Sequence, residues 1–119
     1  IKRERKLILG LHGFARKGKN RTRFYRIWQG MISRCYSPKQ SQYKFYGGRG
    51  IKVSLKWKKF LGFKQDMYEL YLDHVKSFGE KDTSIDRINN NGNYEQRNCR
   101  WATQSEQAHN KRGRGKSIK

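Results

Sequence analysis

The chain has 119 residues, of which 34% are apolar, so it is long enough for one small domain with a lean core. Lys and Arg number 29 against 9 acidic residues, which gives a formal net charge of +20. Self-repulsion at this charge opposes compaction unless a polyanion neutralises it, so the composition favours a nucleic-acid partner. The apolar run near the N-terminus, residues 7–9, is too short to span a membrane, and no membrane association is expected.

The two cysteines, Cys35 and Cys99, are far apart in the sequence. Their spacing fits neither a zinc ligand set nor a disulfide framework. We expect both to be reduced core residues, which is typical of a cytoplasmic protein.

Residues 1–21 are rich in Lys and Arg, with glycines at positions 10, 13 and 18, and offer little to pack. Segments of this kind are commonly flexible until they meet phosphate. The sequence therefore predicts a basic flexible arm, with a plain solvated tail as the alternative.

Residues 22–80 are predicted to be mainly helical, and the first helix covers about residues 22–36. Thr22 is the expected N-cap and Pro38 the expected stop. The apolar residues recur at helical spacing and predict a single core-facing stripe made of Phe24, Ile27, Trp28, Met31, Ile32 and Cys35.

The Gly-rich turn at 47–50 can be read in two ways. Its glycines permit positive φ and a close approach of the backbone, so its N–H groups could cradle phosphate beside Arg49. The alternative is a tight turn without a ligand.

A second helix is predicted from about Leu55 to Lys76. Gly62 weakens it locally, and Gly79 marks its end. The predicted apolar stripe of this helix consists of Trp57, Phe60, Phe63, Met67 and Leu70. His74 continues the same spacing, so we expect it to be a packed histidine.

Residues 81–112 predict a strand, an Asn-rich turn at 89–93, a second strand at 98–102 and a helix from Thr103. The second strand should place Cys99 and Trp101 on one face and Arg100 on the other. Tyr94 should pack the turn onto the core. Thr103 and Glu106 have the spacing of a capping box. Residues 113–119 form a basic tail. The expected class is α+β, mainly helical, with a small C-terminal ββα unit between basic arms.

Several stretches resemble the HNH (ββα-metal) motif of phage and intron homing endonucleases: DRIN at 86–89, NCRWAT at 98–103 and EQ at 106–107. Other short stretches and single residues resemble those of small phage-encoded proteins of HNH endonuclease-like type. These are HG at 12–13, YRIW at 25–28, YGGRGI at 46–51, and Met31, Arg34, Cys35, Trp57, Phe60 and Phe63. The resemblance covers about residues 12–112 and implies a location in a bacterial or phage-infected cell.

The resemblance implies roles for individual residues. Asp86 takes the position of the metal-binding carboxylate, and Arg87 that of the histidine general base. Asn98 takes the position of the orienting amide, and Gln107 or Asn110 that of the metal ligand on the helix. The implied cofactor is Mg²⁺ or Mn²⁺, which suits carboxylate and amide oxygens.

Arg87 separates the functional hypotheses, because a guanidinium stays protonated and cannot act as a general base. It can instead hold the scissile phosphate bidentately. One hypothesis is metal-dependent DNA nicking or cleavage, with metal hydroxide or His12, His74 or His109 replacing the base. The alternative is an inactive HNH-derived module that binds DNA or structured RNA.

The residues expected to contact nucleic acid are basic ones of the arm, the helices, the Gly-rich turn, the second strand and the tail: Arg16, Lys17, Lys19, Arg21, Arg23, Arg49, Arg100, Lys111, Arg112 and Arg114. A third class, a structural protein that binds acidic protein surfaces, leaves the arrangement of residues 86–110 unexplained. The sequence does not indicate an oligomeric state.

Overall fold

A computed structural model describes residues 22–117, and the side chains of residues 22–110. In chain order the regular elements are α1 (Arg23–Tyr36), α2 (Phe60–Phe78), β1 (Ser84–Arg87), β2 (Cys99–Ala102) and α3 (Gln104–Ser117). Short 3₁₀ turns occupy parts of the connections. The described chain is therefore mainly helical with one two-stranded antiparallel sheet, which agrees with the α+β class.

Helix α1 follows its predicted pattern. The Thr22 hydroxyl accepts the N–H of Tyr25 at 3.2 Å, so the predicted N-cap is confirmed. The helix ends at Tyr36, two residues before Pro38. Its predicted stripe lies against the core: Phe24, Met31 and Cys35 are buried, and Ile27, Trp28 and Ile32 pack beside them.

Helix α2 begins five residues later than predicted. Lys59 has extended backbone angles and separates the helix from a 3₁₀ turn at Lys56–Lys58. The chain doubles back here so closely that a Cβ on Gly62 would collide with the Lys56 carbonyl. The predicted single helix from Leu55 is therefore wrong, and Leu55 is 83% exposed.

The buried face of α2 also differs from the predicted stripe. Leu70 is 55% exposed, whereas Tyr71 is buried. The helix buries positions 60, 63, 67 and 71 because this spacing stays on one face over three turns. His74 is partly buried, and Trp57 joins the core from the preceding 3₁₀ turn.

The core is aromatic and is centred on Phe24 of α1. Its ring lies 4.9–6.0 Å, centroid to centroid, from five other rings, those of Phe60, Phe63, Tyr68, Tyr71 and Trp101. Each such pair adds about 0.5–1.5 kcal/mol beyond the burial of area. A few large side chains thus connect α1, α2 and β2. They allow a chain with only 34% apolar residues to form a core.

The hairpin register decides which residues share a face. Asp86 pairs with Arg100, and Arg87 pairs with Cys99. Because successive side chains alternate in a strand, Asp86 and Arg87 lie on opposite faces. Cys99 is buried and Arg100 is exposed, as predicted. Both cysteines are free and buried.

Helix α3 starts with the predicted capping box. Glu106 accepts the Thr103 N–H at 2.8 Å, and its own N–H bonds the Thr103 hydroxyl at 3.1 Å. The helical backbone runs on to Ser117, through most of the segment predicted as a separate tail. The predicted arm at 1–21 lies outside the described residues. Across the described helices, none combines the length and apolarity needed to cross a membrane.

Candidate nucleic-acid interface

Asp86, Arg100 and Asn110 meet on the α3 side of the hairpin. The Arg100 Nε donates to the Asp86 Oδ2 at 3.0 Å, and the Asn110 amide lies 3.4–3.5 Å from both carboxylate oxygens. The same amide donates to the Arg87 carbonyl at 3.0 Å. Asp86 is 9% exposed, so this ion pair is largely shielded on the carboxylate side.

A shallow cavity of about 350 Å³ lies beside this cluster. It is lined by Arg100, Ser105, Glu106, His109 and Asn110. Of His74 and His109, the two candidate histidines that the structure describes, His109 lies beside Asn110 and Arg100.

Gln107, the other predicted helix ligand, lies elsewhere. Its amide donates to the Ile85 carbonyl at 3.3 Å, and it lines a different cavity, against α1. Ile85 and Asp86 face opposite sides of the strand. Of the two candidates on α3, Asn110 is therefore the one that reaches Asp86.

Arg87 is built into the fold. It is 7% exposed, and its Nη1 donates to the carbonyls of Asn90 at 2.6 Å and Gly92 at 2.9 Å. Its guanidinium carbon lies 5.0 Å from the Tyr46 ring centroid and 5.2 Å from that of Tyr94. The predicted grip on a scissile phosphate beside Asp86 is therefore wrong, because Arg87 faces the other side of the hairpin.

Asn98 holds the Asn-rich turn. Its Oδ1 accepts the Asn89 N–H at 2.8 Å, and its Nδ2 donates to the carbonyls of Asn89 at 3.1 Å and Asn93 at 2.9 Å. This turn supplies the carbonyls that bind Arg87. Asn98 therefore orients Arg87 through the turn backbone, and its own amide bonds the turn rather than Asp86.

Arg34 and Arg87 both lie against the same two tyrosine rings. The Tyr46 and Tyr94 rings stack with centroids 6.2 Å apart, and the Arg34 guanidinium lies 5.1 Å from the first ring and 5.7 Å from the second. Arg34 also donates to the Tyr94 hydroxyl at 3.0 Å. Burial raises the pKa of the Tyr94 hydroxyl to about 12, although Arg34 acts in the opposite direction.

The Gly-rich turn is folded as a tight turn. The N–H groups of Arg49, Gly50 and Ile51 bond carbonyls within the turn, at 2.9–3.0 Å. Gly50 has φ +89°, and a Cβ on Gly47 would collide with the Cys35 carbonyl. These N–H groups are used internally, so the geometry supports the tight-turn alternative over the phosphate cradle.

Arg49 links this turn to the Asn-rich turn. Its guanidinium donates to the Asn91 Oδ1 at 2.6 Å and to the Phe45 carbonyl at 3.2 Å. His74 is a packed histidine, as predicted, because its Nδ1 lies 2.6 Å from the Thr83 hydroxyl and its ring contacts Phe78. His12 lies outside the described residues.

Three arginines of α1, namely Arg23, Arg26 and Arg34, line a cavity of about 530 Å³. Their spacings of three and eight residues place them along one side of the helix. Arg23 is a predicted contact, whereas Arg26 and Arg34 are absent from the predicted set. The helical period of the arginines was the signal that could have identified them.

Of the other residues predicted to contact nucleic acid, only some have side chains that the structure describes. Arg100 is bound to Asp86, as above. The remaining ones lie outside the described side chains: Arg16, Lys17, Lys19, Arg21, Lys111, Arg112 and Arg114. Between residues 22 and 110, no three His, Cys, Asp or Glu side chains are grouped so that they could hold a metal ion.

Family models, curated proteins and solved structures yield no match to this chain. The function of the chain is therefore inferred from its own charge and contacts.

Proposed function

We propose that the chain is a nucleic-acid-binding protein that grips the sugar-phosphate backbone of duplex DNA around its ββα unit. The observation that carries the proposal is the net charge of +20 on 119 residues. Bound phosphates offset the self-repulsion that this charge creates. Arg87 supports binding over hydrolysis, because its guanidinium is used inside the protein and leaves the base position without a proton acceptor.

Binding of this kind works through counterion release. Each phosphate neutralised by Lys or Arg frees condensed cations, so log K falls linearly with log salt, with a slope of about −0.9 per phosphate on duplex DNA. Contacts to the backbone fix position and carry no sequence information directly. We therefore expect steep salt dependence and weak sequence preference.

Fluorescence anisotropy tests the proposal. Labelled duplex DNA and a folded RNA hairpin of equal charge are titrated with the protein at several salt concentrations. We expect submicromolar binding of DNA at low salt, with a steep negative slope. A shallow slope for both ligands would overturn the proposal. Tighter binding of the RNA hairpin than of duplex DNA would instead indicate a module that binds structured RNA or a ribonucleoprotein.

A second function, metal-dependent DNA nicking, is favoured by the meeting of Asp86 and Asn110. The Asp86 carboxylate, the Arg87 carbonyl and the amide oxygen of Asn110 are the ligand types that Mg²⁺ and Mn²⁺ prefer. The Arg100 guanidinium competes for the same carboxylate at 3.0 Å. A bound divalent ion would supply charge stabilisation to the scissile phosphate.

The protein's own part in nicking would be positional. Asp86 and Asn110 would hold the ion, which requires the amide oxygen to turn inward. Arg100, displaced from Asp86, would bind a phosphate oxygen, because a guanidinium suits phosphate geometry. His109 would be the neighbouring proton acceptor, since it lines the same cavity.

Nicking of supercoiled plasmid in Mg²⁺ or Mn²⁺ tests this second function. We expect Asp86→Asn to abolish nicking while DNA binding persists, with Asp73→Asn, an exposed carboxylate on α2, as the matched control. Arg100→Gln removes the competing cation and should tighten Mn²⁺ binding, measured by titration calorimetry. If no metal supports cleavage by the wild type, the nuclease function is excluded and the binding function stands.

A further inference from the structure

The cavity of about 530 Å³ between α1 and the ββα unit has an unusual lining. Helix α1 contributes three arginines to it, β1 contributes Ser84, and α3 contributes Gln107. Gln42 and Tyr46 close it from the connection after α1. Four segments of the chain thus contribute polar residues to the lining of one cavity.

Gly30 keeps room in this lining for a guanidinium. A Cβ at position 30 would lie 3.1 Å from the Arg34 Nη1, tighter than ordinary van der Waals contact. Gly30 and Arg34 are four residues apart, on the same side of the helix. The missing Cβ at Gly30 therefore leaves space for the Arg34 guanidinium beside the cavity.

Two of the arginines donate one hydrogen bond each within the described part of the protein and keep other N–H groups that are not bonded there. The Arg23 Nη2 donates to the Thr83 carbonyl at 3.0 Å, and the Arg34 Nη2 donates to the Tyr94 hydroxyl at 3.0 Å. The Nε of each is buried and has no hydrogen-bond partner within the described part of the chain. The guanidinium groups are thus preorganised, with their hydrogen-bonding capacity not exhausted.

The charge of the lining is positive without compensation from within it. No Asp or Glu is among the described residues that line the cavity. Glu80 lies in a neighbouring cavity that Arg23 and Arg26 also border, and there it accepts a hydrogen bond from Tyr71 at 3.0 Å. Clustered guanidinium groups repel one another, and a bound anion removes that repulsion.

We propose that this cavity is a phosphate-binding site in which Arg23, Arg26 and Arg34 together hold one phosphate of a nucleic-acid backbone. Arginine suits the role because its planar fork matches phosphate oxygens bidentately. Cavities of this volume accept small ligands, so there is room for the sugar beside the phosphate. The nucleic-acid source of the phosphate rests on the proposed function, whereas the site itself does not.

The first test measures the salt slope of duplex DNA binding. Arg26→Gln is the main variant because Arg26 is exposed and its loss spares the core. We expect the slope to fall in magnitude by about one unit. Arg97→Gln is the matched control, an exposed arginine outside the cavity lining. If both variants change the slope equally, the cavity has no special role.

A double variant tests whether the arginines share one phosphate. Arg23→Gln with Arg26→Gln should lower the slope by about the same single unit as either change alone, because one phosphate is lost only once. Additive losses would mean separate phosphates on an open basic surface and would overturn the shared site.

The second test separates this inference from the proposed function. Inorganic phosphate is titrated at constant ionic strength while the Arg Nε–H signals are followed by ¹H–¹⁵N NMR. We expect saturable shifts of Arg23 and Arg34 and none of Arg97. Shifts without DNA binding would keep the site and remove the proposed function. DNA binding without shifts, and with an unchanged slope for Arg26→Gln, would remove the site and keep the function.

Discussion

Arg87 has a structural role in the described part of the chain. Its guanidinium crosses from β1 to the turn carbonyls of Asn90 and Gly92 and lies on the rings of Tyr46 and Tyr94. A charge that is 7% exposed needs such contacts, because a buried cation without partners is costly. The residue therefore holds the hairpin turn to the connection after α1.

We expect Arg87→Gln to lower the free energy of unfolding by about 3 kcal/mol, because two charged hydrogen bonds to the turn are lost. Arg87→Lys should recover little of this, since an ammonium lacks the planar fork. Urea denaturation measures the effect. Arg97→Gln, an exposed control, should stay within about 0.5 kcal/mol of the wild type. A change at Arg87 no larger than this control would show that the turn does not depend on the guanidinium.

Asp66 is expected to make stability depend on pH. Burial alone would raise its pKa, but hydrogen bonds from Lys56 and the Trp57 indole outweigh burial and hold the pKa below its ordinary 3.8. The folded state therefore favours the carboxylate. Its stabilisation is complete above pH 3.8 and is lost as the pH falls below that value.

Asp66→Asn measures this contribution. At neutral pH the variant should be less stable than the wild type by about 1 kcal/mol, and the difference should vanish in acid, where both side chains are uncharged. Asp73→Asn, on the exposed side of α2, is the control. Parallel pH profiles for the wild type and Asp66→Asn would contradict the assignment.

At the scale of elements, α2 shows how tertiary contact overrides helical pattern. The stripe from Trp57 to His74 predicts one continuous helix, and Gly62 is read there as a local weakness. The structure gives Gly62 a different role, because the chain from the preceding 3₁₀ turn passes directly over it. A pattern of apolar residues cannot reveal such a crossing, since it depends on contact between two segments.

Gly62→Ala is therefore expected to destabilise the protein. Helix propensity alone predicts a gain of about 1 kcal/mol. The collision of the new Cβ with the Lys56 carbonyl should reverse the sign and give a net loss of about 1–3 kcal/mol. Thermal unfolding measures the change, and Gln65→Ala, exposed on the same helix, should be close to neutral. A stabilised Gly62→Ala variant would disprove the close crossing.

At the scale of the whole molecule, charge sets the response to solution conditions. A net charge of +20 destabilises the compact state by self-repulsion, which salt screens. The same salt weakens binding of a polyanion. Added salt should thus increase the stability of the free protein and decrease its affinity for nucleic acid.

We expect the Tm of the free protein to rise with NaCl. Duplex DNA at 100 times its Kd should add about 2.7 kcal/mol of stability, or about 10 °C or more in Tm for a domain of this size. That gain should shrink as NaCl is raised. Differential scanning fluorimetry with and without DNA measures both trends. A gain from DNA that is independent of salt would contradict binding through phosphates.

Prediction from sequence succeeded where contacts are local. The N-cap at Thr22, the capping box at Thr103 and the alternation along β2 all depend on residues within a few positions of each other. It was wrong for Arg87, whose partners come from a turn and from a ring 41 residues earlier, at Tyr46. The resemblance offered Gln107 or Asn110 as the neighbour of Asp86, and the choice between them depends on the phase of α3 against β1, which brings Asn110 to Asp86 and Gln107 to Ile85.

The stacked tyrosines have a consequence for how this sequence can vary. Arg34, Tyr46, Arg87 and Tyr94 share one pair of ring faces, so none of the four can be exchanged without leaving a partner exposed or unpaired. A histidine at position 87 is too short to reach both turn carbonyls that Arg87 binds. In related chains these four positions should therefore change together. A histidine at position 87 should be accompanied by a differently shaped turn at 89–93.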